Sequence, residues 1–256
     1  MYLLEVQDLQ KKKEKQTSVD SIRFKISEKG VYGFLGKKQS GKTLLAELLA
    51  GVCEADGGSI SYNGKMLFAN EKQTAEIKKK IGYVASVCFF DRDITVFESL
   101  DLLGKAKMIE PDKRFRQIKE ALELTGLSLR RDTLVGDLIP SDRKRLMIAS
   151  SLLGNPDVII MDDPLRTFER KQTDEIKKLI AMLGRKKVVV LFSSRPEEIE
   201  ELCDNIALLH NGRVVAEYKK DELLGKIKEN GLGDLASVLD ALTEEVGEGE
   251  NNVSGI

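Results

Sequence analysis

Only three of the 256 residues are cysteine. Cys53, Cys88 and Cys203 are an odd number without C-x-x-C spacing, which argues against both a disulfide framework and a zinc site and fits a reducing compartment. Net charge is also nearly missing: 41 Lys plus Arg against 42 Asp plus Glu leave −1. No overall field therefore draws the chain to nucleic acid or to an anionic membrane surface, and no nucleic-acid partner is expected. The lysine clusters Lys11 to Lys13, Lys78 to Lys80 and Arg185 to Lys187 read as solvated surface. The longest apolar runs, such as Val188 to Phe192, fall far short of the ~18 residues a membrane span needs. The start, Met1-Tyr-Leu-Leu-Glu-Val, lacks the charge and apolar stretch of a signal peptide. There is one histidine, His210, beside the Asn211-Gly212 turn, where a structural role is the expectation. No repeat of solenoid length is present.

What is there is a chain with 41% hydrophobic residues, enough to bury a full core. Short β-branched runs alternate with helical periods, the pattern of a mostly parallel sheet with helices on its faces. Val31 to Leu35, Ile81 to Ala85, Val158 to Met161 and Val188 to Phe192 read as buried strands. After Thr43 the pairs Leu44, Leu45 and Leu48, Leu49 share a helical face, with Gly51 as the stop.

Two stretches break the rhythm. Residues 1–30 and 57–67 look like antiparallel strands, with Asn63-Gly64 a type I′ hairpin signal. Residues 94–153 look almost wholly helical: Thr95 and Glu98 form a capping box, Phe115, Ile118 and Leu122 share a face ending near Gly126, and Ser141 is the expected cap of a helix running to Leu153. A helical subdomain inserted into an α/β core is the inference. Beyond Glu217, helices are expected over Asp221 to Lys228 and Leu232 to Glu245, followed by an acidic, aromatic-free tail expected to be disordered.

Gly36-Lys37-Lys38-Gln39-Ser40-Gly41-Lys42-Thr43 matches G-x-x-x-x-G-K-[ST] and lies between a predicted strand and a predicted helix, as that phosphate-binding motif requires. Backbone N–H groups of such a loop turn inward around phosphates, and the positive end of the following helix adds attraction. Lys42 is the candidate for the β- and γ-phosphates of ATP, and Thr43 for Mg²⁺. Farther on, Val158-Ile-Ile-Met161 leads into Asp162 and Asp163. A carboxylate at the carboxyl end of a parallel strand sits where ligands bind in open α/β sheets, and Asp162 is the expected Mg²⁺ partner.

From this point the order of segments resembles the ABC ATPase family over roughly residues 2–217. Phe24 to Gly36, Ile81-Gly-Tyr-Val, Ile94-Thr-Val-Phe-Glu-Ser-Leu, Asn155-Pro-Asp-Val-Ile-Ile-Met-Asp-Asp-Pro, and Leu202 through His210-Asn-Gly-Arg-Val-Val-Ala carry the likeness, most of all to ABC-2-type and drug-resistance exporter ATPases. The resemblance implies a P-loop NTPase with a RecA-like core, an antiparallel β subdomain and an inserted helical subdomain. Residues 1–217 would form the nucleotide-binding domain, with its helical subdomain at about 88–153. Residues 218–245 would be a helical extension and 246–256 the tail. It further implies Mg²⁺-ATP held between two head-to-tail chains, homo- or heterodimeric. A separate membrane permease would dock near Ser86 to Leu103 and keep the chain peripheral on the inner face of the cell membrane, in the cytoplasm.

Against the family pattern, Lys13 falls where an adenine-stacking aromatic is usual, and Ser86 where glutamine or glutamate follows Tyr-Val-x. The signature L-S-G-G-Q aligns with Leu138-Ile-Pro-Ser141-Asp142, where Pro140 donates no N–H and Asp142 adds negative charge. Asp163 stands for the catalytic glutamate, one methylene shorter. Arg195, in Ser193-Ser-Arg195, replaces the usual histidine and either holds a γ-phosphate or pairs with Glu197, Glu198 or Asp163. The resemblance thus implies an ATPase with slow hydrolysis, catalytic at Asp163 and Lys42, binding nucleotide through Gly36 to Thr43, Ser141 and Arg195 and metal through Thr43 and Asp162. Two readings stand: a subunit that drives a permease, or a nucleotide-gated clamp with little turnover. A small-molecule kinase would need an acceptor site and lid that the sequence does not show.

Overall fold

A computed structural model describes residues 2–12, 18–229 and 234–245. Strands β1 (Leu4–Lys12) and β2 (Ser18–Ile26) pair antiparallel, and β3 (Gly30–Leu35) follows and opens the central sheet. Helix α1 (Lys42–Leu49) is succeeded by the hairpin β4 (Gly57–Tyr62) and β5 (Lys65–Met66), which completes a four-stranded sheet in the order β2-β1-β4-β5. Its turn residues Asn63 and Gly64 have φ of 49° and 73°, the left-handed pair a type I′ turn requires. Helix α2 (Glu71–Lys79) leads to β6 (Ile81–Val84).

Next come α3 (Val96–Ala106), α4 (Pro111–Thr125) and α5 (Pro140–Leu152). β7 (Val158–Asp162), α6 (Arg170–Gly184), β8 (Val188–Ser193), α7 (Pro196–Leu202), β9 (Asn205–His210) and β10 (Arg213–Lys219) finish the core, and α8 (Lys220–Glu229) and α9 (Leu235–Glu245) close the described chain. The central sheet runs β10-β9-β3-β8-β7-β6, parallel throughout except for β10.

Because β7 and β8 are apolar on both faces, each face of the sheet needs its own cover. On one side α1 packs beneath the antiparallel sheet, so Leu45, Leu48 and Phe24 share a core with Ile160, Val190 and Phe192. On the other, α6 to α9 contribute Ile176, Ile180, Ile199, Leu223, Ile227, Leu235, Val238 and Leu239 against Ile159, Met161, Val189 and Leu191. A third core, built on Val96, Leu100, Ile118, Leu122, Leu146 and Ala149, belongs to α3, α4 and α5.

Two expectations for the helical stretch are corrected. It is less helical than expected: Gly126, at φ 71°, ends α4, and between it and Pro140 only the short 3-10 turns Ser128–Arg130 and Val135–Asp137 are helical. There Thr133 O accepts from Val96 N at 3.0 Å and Val135 N donates to Ile94 O at 2.9 Å, ties between distant segments that local periodicity does not encode. Nor is Ser141 a helix cap. Ile139 holds that place, Pro140 is the first helical residue, and Ser141 lies inside the first turn, buried. Proline suits the first position because its ring presets the helical φ and its missing N–H would have had no partner there. The Thr95/Glu98 capping box forms as expected, and so do the stops at Gly51 and Gly126. Of the face Phe115, Ile118 and Leu122, the last two are buried while Phe115 is exposed. The expected tail, residues 246–256, and Lys13 lie outside the described residues.

Candidate functional site: a phosphate-loop cleft

The cleft opens at the carboxyl ends of the parallel strands, where β3 gives way to residues 36–41 and β6, β7 and β8 end at Val84, Asp162 and Ser193. Its volume is about 570 Å³, and Lys38, Gln39, Gly41, Lys42, Thr43, Ser86, Asp162, Asp163, Arg166, Ser194 and Arg195 line it. The loop of residues 36–41 is braced from outside. Gly212 N donates to Ser40 O at 2.9 Å and Asp20 N to Gly212 O at 2.9 Å, so the β9–β10 turn clasps the loop. Gly41 takes φ 103°, and a Cβ there would lie 3.0 Å from Ser18 O. A Cβ on Gly36 would collide with Leu209 O and Ser40 Oγ, so that glycine is required by packing against β9 and against the loop's own Ser40.

Lys42 Nζ lies in the hollow of the loop, donating to Gly36 O and Lys37 O at 2.7 Å each and to Ser40 Oγ at 3.3 Å. Burial lowers its pKa, and the carboxylates of Asp162 and Asp163 act in the opposite sense. Opposite it, Asp162 is 2% exposed, and its Oδ2 has no hydrogen-bond partner. Burial raises the Asp162 pKa and Asp163 adds to the rise; the hydroxyls of Thr43 and Ser86 and the Lys144 ammonium work against it. A buried carboxylate oxygen without a partner, beside a threonine hydroxyl at the mouth of a phosphate loop, fits a hard divalent cation. Mg²⁺ in phosphate sites takes one or two carboxylates and completes its shell with water and substrate oxygens, so no all-protein cage is needed.

Asp163 stands at φ 51°, a left-handed conformation that aspartate tolerates better than most residues. Its N–H donates to Phe192 O at 3.0 Å, which fixes the turn after β7. Ser86, short as it is, reaches the cleft. Arg195 also lines it and forms an ion pair with Glu198, one of the three partners expected for it.

Not every expected residue is brought together. Gly36, Lys37 and Ser40 shape the loop without lining the cleft, and Lys37 turns outward to Asp240 of α9 at 2.8 Å. Ser141 is buried at the start of α5 and is not a lining residue. Three residues escaped the sequence reading. Arg166 and Ser194 line the cleft, the first legible only as a cation three positions past Asp163. Lys144, 4% exposed, sends Nζ from α5 to Ala85 O at 3.0 Å and Ser86 O at 3.3 Å, tying the helical lobe to the end of β6. Nothing in its sequence neighbourhood signals that role. His210 ends β9 at the turn, with its pKa lowered by burial and by Lys37.

A phosphate loop on a parallel sheet, with an antiparallel sheet over one face and a three-helix lobe beside it, defines a two-lobed P-loop nucleotide-binding protein. Known proteins make the class narrower. Residues 19–166, more than half of the chain, match the ABC transporter family. The chain is 32% identical over 223 residues to the bacitracin transport ATP-binding protein BcrA of Bacillus licheniformis, covering 86% of this chain and 71% of that one. It is 26% identical to the linearmycin resistance ATP-binding protein LnrL of Bacillus subtilis (strain 168), covering 88% and 72%. Among solved structures, an ATP-binding subunit of an ABC transporter superposes with a TM-score of 0.82 at 22% identity, over 94% of this chain and 99% of that one. The dimeric cassette MJ0796 in a post-hydrolysis state bound to ADP and Pi gives 0.77 at 20%, over 85% and 98%. The chain belongs to the ABC transporter family, as an ATP-binding subunit with the ABC ATPase fold.

Proposed function

We propose that this cleft binds Mg²⁺-ATP and that two such chains, or one and a related partner, close on the nucleotide to drive or gate a separate membrane permease of the export type. The observation that carries the reading is the buried Asp162 carboxylate, which meets the Thr43 and Ser86 hydroxyls yet leaves Oδ2 without a partner, in the same cleft as the loop-held Lys42 ammonium. Thr43 and Asp162 are the metal-holding residues, residues 36–43 cradle phosphate, Arg195 meets the terminal phosphate, and the first turn of α5, where Ser141 is buried, is the segment offered to the partner chain's nucleotide. Mg²⁺ bound there would neutralise phosphate charge and orient the transferring group. Asp163, the carboxylate next to it at the cleft, orients the attacking water. Being one methylene shorter than glutamate, it does so poorly, and hydrolysis is slow.

The domain division follows the same reading: residues 1–217 form the nucleotide-binding unit, with the helical lobe at about 88–153, and 218–245 the extension. No helix among the described residues is long and apolar enough to cross a membrane. A membrane position on the cytoplasmic face therefore comes through the permease. Exposed Val87, Phe89 and Leu102, at the junction of core and helical lobe, supply an apolar contact for it, while Phe90 is partly buried against the cores. LnrL and the Nod factor export ATP-binding proteins, named for resistance and for export, support the direction.

The test is steady-state phosphate release with Mg²⁺-ATP beside a nucleotide-binding titration, with Lys42→Ala as control. Slow turnover and binding that both disappear in the control are expected. Tight binding without turnover would remove the ATPase role, and loss of neither in Lys42→Ala would remove the cleft.

A further inference from the structure

Arg195, Glu198 and Ser193 form a closed ring at the edge of the cleft. Ser193 ends β8 and is fully buried; its Oγ donates to Glu198 Oε2 at 2.6 Å and accepts from Arg195 N at 3.1 Å. Glu198 is 2% exposed, and its other oxygen, Oε1, forms an ion pair with Arg195 Nη2, a charge contact and not a directed hydrogen bond. Pro196 starts α7 directly after Arg195, which places Arg195 at the helix cap and Glu198 on the first turn, three residues on, where the two side chains meet. Arg195 keeps 40% of its side chain exposed while lining the cleft.

A guanidinium has five N–H donors in a rigid fork, so one nitrogen can rest on a carboxylate while others serve a second anion. A buried carboxylate needs a cation or a proton. Burial raises the Glu198 pKa and the neighbouring Asp163 adds to the rise, so Arg195 supplies charge that the site otherwise lacks. The ring therefore fixes in advance a side chain that would otherwise pay rotamer entropy on meeting a ligand.

We infer that Glu198 is a positioning residue: anchored by the Ser193 hydroxyl, it holds the Arg195 guanidinium at the edge of the cleft so that its remaining donors meet the terminal phosphate of a nucleoside triphosphate and find no partner on a diphosphate. This rests on the nucleotide-binding reading above and adds to it the residue that sets triphosphate preference.

The experiment measures the affinities of ADP and of a non-hydrolysable ATP analogue, both with Mg²⁺, for the wild type, Arg195→Ala, Glu198→Ala, Glu198→Gln and the Arg195→Ala/Glu198→Ala double variant, with thermal melting as a fold control. Arg195→Ala and Glu198→Ala are each expected to lower the triphosphate-to-diphosphate affinity ratio on the order of tenfold, the worth of one charge-assisted contact. The double variant should fall no further, and Glu198→Gln, which keeps an acceptor for Nη2, should recover most of the ratio. If Glu198→Ala fails to fold, Ser193→Ala, which frees one carboxylate oxygen, should give the same direction with a smaller loss. A ratio unchanged in Glu198→Ala, or equal losses for both nucleotides, would overturn the positioning role and leave nucleotide binding standing. A wild type that binds neither nucleotide would overturn both.

Discussion

Asp162→Asn should make the empty protein more stable and the nucleotide-bound protein less so. The wild-type carboxylate is 2% exposed, has one oxygen without a partner and faces a second carboxylate, Asp163. An unsatisfied buried acceptor costs about 1–3 kcal/mol. Asparagine keeps the shape, carries no charge and can donate to the Thr43 or Ser86 hydroxyl. The sign follows from linkage: the folded pKa of Asp162 is raised, mainly by burial, above its unfolded value. The folded state therefore binds more protons than the unfolded one between those two values, and the wild type loses stability as pH rises through that window. Above that window the whole penalty is present, and the variant escapes it. For a domain of this size each kcal/mol moves the melting temperature by about 2–4 °C. With Mg²⁺ and a non-hydrolysable ATP analogue at a hundred times the wild-type Kd, the wild type gains about 2.7 kcal/mol. The variant, lacking the anionic ligand, should gain far less. Thermal melts of both proteins, with and without Mg²⁺-nucleotide, are therefore expected to change order. An empty Asp162→Asn protein melting below the wild type, or one with an undiminished nucleotide shift, would refute the assignment of that oxygen to a cation.

Asp163→Glu should raise phosphate release, by up to about a hundredfold if the missing methylene is the whole defect, and Asp163→Asn should lower it; a rise in Asp163→Asn would exclude the carboxylate from water activation. Lys107, whose Nζ donates to Ile81 O and Leu153 O, has its pKa lowered by burial to about 8. Because the unfolded lysine holds its proton to about 10.4, the unfolded state binds more protons between these values and stability should rise over that range. Denaturant melts at pH 7.5 and 9.5 should show a smaller rise in Lys107→Met, and an identical rise in both proteins would place the titration elsewhere.

Much of the cleft can be read from sequence because its parts are local. Residues 36–43 carry their own turn, charge and helix start, and the run Val158 to Asp163 encodes a buried strand ending in two carboxylates. The Asn63-Gly64 turn, the Thr95/Glu98 box and the stop at Gly126 are likewise decided within a few residues. The Arg195–Glu198 pair is also local, and sequence could name it as one of several partners.

Other features depended on contacts that no short window contains. Pro140 moved the start of α5 two residues earlier than a serine cap would, and Thr133 and Val135 paired with the segment at the start of α3, which broke the expected helical run. Lys144 reaches the end of β6 from a helix 58 residues later in sequence, and Lys37 meets Asp240. The Gly212 turn braces a phosphate loop that sequence places far from it. By itself the sequence determined the strands, the phosphate loop and the two carboxylates, since backbone propensity and short-range spacing carry that information. Only the tertiary structure decided which cations surround those carboxylates and which oxygen was left without a partner, because burial and charge balance are properties of residues that meet across the fold.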